Sequence, residues 1–257
     1  MKKFRLEAHR GVGTEFPENT LPAFEASVNQ GYDVIELDLK FTADNRCVVL
    51  HDGSIKRTGR TADGEPAPDT KITELTYAEA SAYDYGLWKN EAFLGTKIPL
   101  FSDVLAFAKE QKIPLKIDNC YEHFTAEQRE ILYSLIEKAD MGNLIGFTCA
   151  NAASFDEVSE RFPEAEFHYD GKIDENDFSP LLSHVKNHRC TVWVPMDNNS
   201  TKWVHQSIRR CCPELCDLIH RNGLEVGVWI LKSEDELDYA KNVCGADIVE
   251  TDGTLKP

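Results

Sequence analysis

Apolar positions along this chain follow two alternating rhythms. Short extended runs of Val, Ile, Leu and Phe are each followed by a stretch in which apolar residues recur every three or four positions, the spacing of one helix face. Residues 4–8 read as a first strand. Leu21, Phe24 and Val28 then place an apolar stripe on a helix ending at Gly31, for which Asn19 is a good N-cap. A second strand is expected over 34–39 and a short extended piece over 47–50. From 53 to 98 the pattern gives way to turn-rich, charged sequence with a weak helix near 77–83, an excursion of the kind that carries function or oligomer contacts. After Pro99 the rhythm resumes, with helices expected at 102–111, 125–138, 152–161, 176–187, 203–222 and 233–242. Between and after them lie strands at 115–118, 144–148, 166–169, 191–194, 225–230 and 247–250. Leaving aside the 47–50 piece, eight strands alternate with helices, which predicts an α/β fold: a parallel sheet closed into a (β/α)8 TIM barrel. The expected organisation is one barrel domain over 1–257 with a small insertion, about 53–98, after the second strand.

Composition narrows the partners. The chain has 257 residues, is 42% hydrophobic, and so can bury a full barrel core. A net charge of −16 repels phosphate surfaces, so neither nucleic acid nor stable membrane association is expected. The lysines of MKKFRLEAH resemble the start of a secretion signal, but no apolar stretch follows, and the expected location is cytoplasmic. The eight cysteines form no CxxC and read as reduced core thiols; Cys212 and Cys216 would share a helix face without a histidine partner for zinc.

Candidate chemistry sits where barrel active sites lie, at the C-terminal ends of strands. Glu36 and Asp38, two apart on one strand, face the same side, and Asp118 at the end of the next barrel strand can join them. Three carboxylates in one mouth repel unless a hard divalent cation, Mg2+ or Ca2+, is held between them; pairing with nearby Lys or Arg is the plainer alternative. His9 and His51 come from different segments of the same end, as a general acid/base pair would. Arg10 can hold a phosphate or a carboxylate, and Asp52 can fix a tautomer or cap a turn.

The ordered set His9-Arg10-Gly11, Pro17-Glu18-Asn19-Thr20, Glu36-x-Asp38 and His51-Asp52 resembles the glycerophosphodiester phosphodiesterase family, densely over about 50 residues. Ile98-Pro99-Leu100-Phe101, the strand around Asp118, Val228-Trp229 and Glu250-Thr251-Asp252-Gly253 continue the resemblance more loosely. It implies a (β/α)8 barrel with 53–98 as the inserted segment, and metal-dependent hydrolysis of a small glycerophosphodiester to glycerol 3-phosphate and an alcohol. Carried over residue by residue, His9 and His51 match the acid/base pair, Glu36 and Asp38 the metal ligands, and Arg10 a phosphate contact. Trp229 sits where the family places an aromatic side chain against the substrate alcohol. The pattern departs at one point. Where the family has Glu-x-Lys, with the lysine on the phosphate, this chain reads Asp118-Asn119-Cys120. Aspartate can bind a metal, but cysteine cannot supply the charge. Lys116 lies one i to i+2 step of about 7 Å before Asp118, on the same strand face, and is the candidate for the missing cation. Two alternatives stand beside hydrolysis of glycerophosphodiesters: another phosphodiester substrate, such as a lysophospholipid or sugar phosphodiester, or a barrel that binds phosphodiesters with impaired turnover. Self-association is expected, if anywhere, through 53–98.

Overall fold

The computed structural model describes residues 3–196 and 210–257. In chain order its elements are β1 (Arg5–Ala8), α1 (Leu21–Gln30), β2 (Val34–Leu37), β3 (Leu39–Phe41), β4 (Cys47–Val49), α2 (Tyr77–Ala80), α3 (Phe101–Gln111), β5 (Leu115–Ile117) and α4 (Ala126–Ala139). They continue as β6 (Ile145–Cys149), α5 (Ser154–Arg161), β7 (Glu166–Tyr169), α6 (Ser179–Val185), β8 (Cys190–Pro195), α7 (Pro213–Arg221), β9 (Glu225–Leu231), α8 (Glu234–Asp238) and β10 (Ile248–Thr251). Eight parallel strands close into a barrel in the order β1-β2-β5-β6-β7-β8-β9-β10, with β10 pairing back onto β1. The TIM barrel expected from the alternation is therefore the fold. Of the helix expected over 203–222, α7 covers the part from Pro213; residues 203–209 lie outside the described residues. None of the described helices is long and apolar enough to cross a membrane.

The helices form where one face can be buried. In α3, Phe101, Val104, Leu105 and Ala108 fall on one stripe and are fully buried against the barrel. In α4, Thr125 and Gln128 satisfy each other's backbone amides in a capping box, and Leu132, Tyr133 and Ile136 point inward.

Two expectations need correction. The second strand does not run through 34–39. It breaks at Asp38, where the chain leaves the barrel, and β3 pairs antiparallel with β4 as a separate hairpin. The break follows from how Asp38 is held: its backbone N–H donates to Asn19 Oδ1 (3.3 Å), its carbonyl accepts from Leu50 N–H (3.0 Å), and its carboxylate accepts from Asn19 Nδ2 (2.8 Å). Asn19 is accordingly not the cap of α1. That position belongs to Thr20, while Asn19 takes a left-handed conformation (φ 56°) that turns its amide toward Asp38.

The inserted segment has a small core of its own, built from Ile55, Ala67, Ile72, Ala80, Tyr85 and Ile98 on the hairpin residues Val48 and Leu50. Among its described residues only Leu94 is a large, strongly exposed apolar side chain.

Inside the barrel, period-two alternation stacks polar side chains in layers. At the bottom, Arg5 and Arg189 bridge Glu166 and Glu225 at 2.7–3.1 Å. One layer up, Lys116 Nζ lies 2.5 Å from Glu7 and 3.4 Å from Glu250, with the Trp193 ring 3.7 Å away. Trp193 Nε1–H donates to His168 Nδ1 (3.1 Å). Burial, with Lys116 and Arg5 nearby, holds His168 well below the usual imidazole range and therefore neutral. The top layer is the candidate site.

Candidate active site

β1 delivers His9 and Arg10 to a tight turn in which Arg10 (φ 54°) and Gly11 (φ 81°) both adopt positive φ. Gly11 is required twice over, because a Cβ there would lie 2.8 Å from Ala23 Cβ on α1. Glu36 leaves β2 pointing into the mouth, Asp38 follows it, and Asp118 ends β5, whose Lys116 is in register with Glu36. A carboxylate oxygen from each of Glu36, Asp38 and Asp118 lies within 4.8 Å of the others. Their crowding is expressed in their acidity. Burial first, and the neighbouring Asp38 second, push Glu36 well above the usual carboxylate range and raise Asp118 as well.

The two histidines are oriented alike. His9 Nδ1 donates to Asp252 Oδ1 (2.6 Å), and His51 Nδ1 donates to Asp52 Oδ1 (2.7 Å). A carboxylate only accepts, so both rings carry the proton on Nδ1 and leave Nε2 for exchange. His9 Nε2 lies 3.9 Å from Glu250. Burial alone would lower the pKa of His9, but Glu250, the Asp252 hydrogen bond and Glu36 outweigh it and raise it to about 10.

Both histidines, Arg10, Glu36, Lys116, Asp118 and Trp229 line one cavity of about 810 Å3 at the C-terminal end of the barrel. Asp38, 3% exposed, lies just beneath that lining. Asn119 lines the cavity beside Asp118, and the wall across from β1 and β2 carries Asp170, Lys172 and Trp193. Asn119 Nδ2 donates to Asp170 (2.8 Å), and burial with Asp118 close by raises Asp170 to about 7.

Charge pairing decides what is free to meet a ligand. The Arg10 backbone N–H donates to Glu36 (2.9 Å), its NH1 donates to Glu18 (3.1 Å), and its Nε is within ion-pair distance of Asp38 (3.2 Å) but not aligned to donate. Glu18 also accepts both terminal nitrogens of Arg57 (2.7 and 2.8 Å), and Arg57 Nε donates to Asp52 (2.6 Å). This inserted-segment arginine thus ties the His51 loop to the Arg10 loop, and Lys89 adds a bond to the Gly13 carbonyl (2.6 Å). Lys116 is directed elsewhere than expected: its ammonium, 4% exposed as a residue, is occupied by Glu7 and Glu250 rather than by Asp118 or Glu36. Cys120 is buried, its Sγ–H donates to the Asp118 carbonyl (3.2 Å), and burial with Asp118 beside it raises its thiol pKa. It holds the strand end and presents no charge. Among the described residues, Lys172 is the cavity lysine whose ammonium makes no ion pair.

Sequence reasoning missed Glu7 and Arg57 as parts of this arrangement, and it placed Glu18 and Asp252 in motifs without giving either a role. Glu7 and Asp252 had a signal, being two residues from His9 and Glu250 on alternating strands; Glu18 and Arg57 meet only through the folded insert.

An eight-stranded parallel barrel with an acidic, histidine-bearing mouth at its C-terminal end places the chain among (β/α)8 barrel proteins with a cluster of oxygen donors at that end. Within that class, residues 9–255 match the model of the glycerophosphoryl diester phosphodiesterase family, and the chain belongs to that family. A glycerophosphodiester phosphodiesterase of Caldanaerobacter subterraneus is 25% identical over 248 residues, 95% of this chain and 92% of that protein. Bacillus subtilis YqiK is 35% identical over 130 residues, and Bacillus subtilis YhdW is 39% identical over 98 residues. The matched stretches span about half, 51%, of YqiK and 37% of YhdW. The fold is similar to that of an Oleispira antarctica phosphodiesterase solved with the product sn-glycerol-3-phosphate (TM-score 0.76, 21% identity, 97% of this chain and 93% of that one).

Proposed function

We propose that this barrel hydrolyses glycerophosphodiesters to glycerol 3-phosphate and an alcohol, using a divalent cation and a histidine pair. The observation that carries the reading is the convergence, in one cavity, of two histidines oriented by carboxylates with the Glu36, Asp38 and Asp118 cluster. The cluster fits a hard cation such as Mg2+ or Ca2+. It offers oxygen donors only, and two of its acids are held toward their protonated forms by burial and mutual repulsion, a strain that a bound cation relieves. Bound there, the cation would supply Lewis-acid stabilisation of charge developing on the phosphoryl oxygens.

The chain's own residues do the rest. Arg10 orients the phosphate beside Glu36, and Lys172 on the opposite wall is the charge available where the family lysine is absent. Lys116 acts from below, balancing Glu7 and Glu250 so that the floor of the cavity does not repel the diester. One histidine Nε2 takes the proton of the attacking hydroxyl and the other gives one to the leaving alkoxide, each contributing roughly 100- to 10,000-fold. Asp252 and Asp52 keep the rings aligned for this exchange. Trp229, at the end of β9, packs against the alcohol.

A second reading, a barrel that binds phosphodiesters with impaired turnover, is favoured by one observation: Asp118-Asn119-Cys120 leaves no lysine at the strand end, and Lys116 is already paired. Release of glycerol 3-phosphate from glycerophosphodiesters, or of the free alcohol from lysophospholipids and sugar phosphodiesters, separates the readings. Turnover that EDTA abolishes and Mg2+ or Ca2+ restores supports the enzyme; cation and product binding without turnover supports the binder.

A further inference from the structure

Three thiols outside the mouth form a cluster that the proposed hydrolysis does not use. Cys211, Cys216 and Cys244 are 2%, 0% and 4% exposed. Their sulfurs all lie within 4.8 Å of one another, and Cys211 and Cys216 are 3.9 Å apart. They come from three separately anchored segments. The Cys211 N–H donates to the carbonyl of Pro195 at the end of β8 (2.9 Å), Cys216 is on α7, and the Cys244 N–H donates to Tyr239 (2.9 Å) at the close of the π turn Tyr239–Val243 after α8.

We propose that Cys211, Cys216 and Cys244 are the ligands of a soft divalent metal ion, zinc in its structural role, distinct from the oxygen-donor cation site in the barrel mouth. Zinc–thiolate bonds of about 2.3 Å in a tetrahedron set sulfur–sulfur edges of about 3.8 Å. The 3.9 Å separation of Cys211 and Cys216 matches that edge, and the third sulfur needs to close by at most about 1 Å, from 4.8 Å to about 3.8 Å. A cavity lined by Met196, Arg210, Cys211, Cys212 and Tyr239 gives access from solvent. Cys212, next in sequence and only half-buried, lines the same cavity but is not part of the 4.8 Å cluster, so a solvent molecule would complete four-coordination. Binding releases one proton from each of the three thiols to solvent, without redox change. The resulting site carries one net negative charge; the cavity beside it is lined by Arg210, which donates its Nε–H to the Met196 carbonyl (2.8 Å), and also by the acids Asp235 and Glu236. Such a site would clamp α7 and the α8 turn to the end of β8, beside the strand that carries Trp229.

The test uses the whole reduced protein, stripped with EDTA and titrated with Co2+. Thiolate ligation is expected to give near-ultraviolet sulfur-to-cobalt charge transfer and strong tetrahedral bands in the red, at one equivalent, bleached by one equivalent of Zn2+. Cys216→Ala and Cys244→Ala are expected to abolish those bands and weaken Zn2+ binding at least a hundredfold, while Mg2+ or Ca2+ binding at the mouth is unchanged. Zn2+ should raise the Tm of the wild type and not that of either variant. Wild-type protein with eight titratable thiols but no charge-transfer band would show the cysteines to be core packing only and overturn the proposal. Zn2+ binding by the fully reduced wild type that is no tighter than that of Cys216→Ala would overturn it as well.

Discussion

Replacing Lys116 by methionine separates a charge-balancing lysine from one that reads the phosphate. Methionine keeps the length and the packing on Trp193 but removes an ammonium placed 2.5 Å from Glu7 and 3.4 Å from Glu250, two acids paired in register on β1 and β10. All three side chains are at most 7% exposed, so water cannot take over. Breaking a buried pair from one side costs about 3–5 kcal/mol. For a chain of this size each kcal/mol moves Tm by about 2–4 °C, so the variant should melt on the order of 10 °C lower at neutral pH. The pH dependence has a definite sign. Burial raises Glu7 to about 7 even with Lys116 beside it, so without the lysine the folded state must hold Glu7 protonated while the unfolded state does not. Folding then takes up a proton, and the deficit should shrink as pH falls from 8 toward 5. Adding Glu7→Gln should restore most of the stability. Thermal and urea unfolding of Lys116→Met, Glu7→Gln and the double variant, with kcat/KM measured on each, make the check. Wild-type stability together with a large loss of kcat/KM, and no rescue by Glu7→Gln, would refute the balancing role and return Lys116 to the phosphate.

His9→Ala and His51→Ala should each lower kcat by roughly 100- to 10,000-fold without a matching loss of Tm, measured by product release and thermal melts. Cation binding should tighten as pH rises, because Glu36 and Asp118 have raised pKa values and must lose protons to bind; calorimetry in buffers of differing ionisation enthalpy reads the released protons. Asn19→Ala should weaken cation binding roughly 10- to 100-fold by loosening Asp38, with helix content unchanged, whereas a capping role would instead reduce helicity at α1.

The barrel was legible because it is written in repeated local patterns. Buried parallel strands such as Ile145–Cys149 and Cys190–Pro195 are continuous apolar runs, and the helices between them, such as Phe101–Gln111, carry stripes that need no long-range information. The mouth was legible in part for the same reason: Glu36 and His9 sit at strand ends whose direction is fixed by alternation. What escaped is what depends on contacts between distant segments. Asn19 satisfies every local criterion for a helix cap, yet a left-handed backbone and the carboxylate of Asp38 claim its side chain. Lys116 shares a strand face with Asp118, but alternation does not say that Glu7 and Glu250 enter the same layer from across β1 and β10 and lie closer. Arg57 looks like one more charge in a turn-rich insert until folding brings it between Glu18 and Asp52.

The carboxylate cluster and the two histidines are proposed to form one cation-dependent phosphodiester hydrolase site. Its most direct measurement is glycerol 3-phosphate release from glycerophosphodiesters by metal-stripped protein, with and without added Mg2+ or Ca2+, for wild type and Glu36→Gln. Stripped protein should release none, the wild type should recover on adding the cation, and Glu36→Gln should not. Equal rates with and without the cation, or a Glu36→Gln variant that recovers like the wild type, would contradict it.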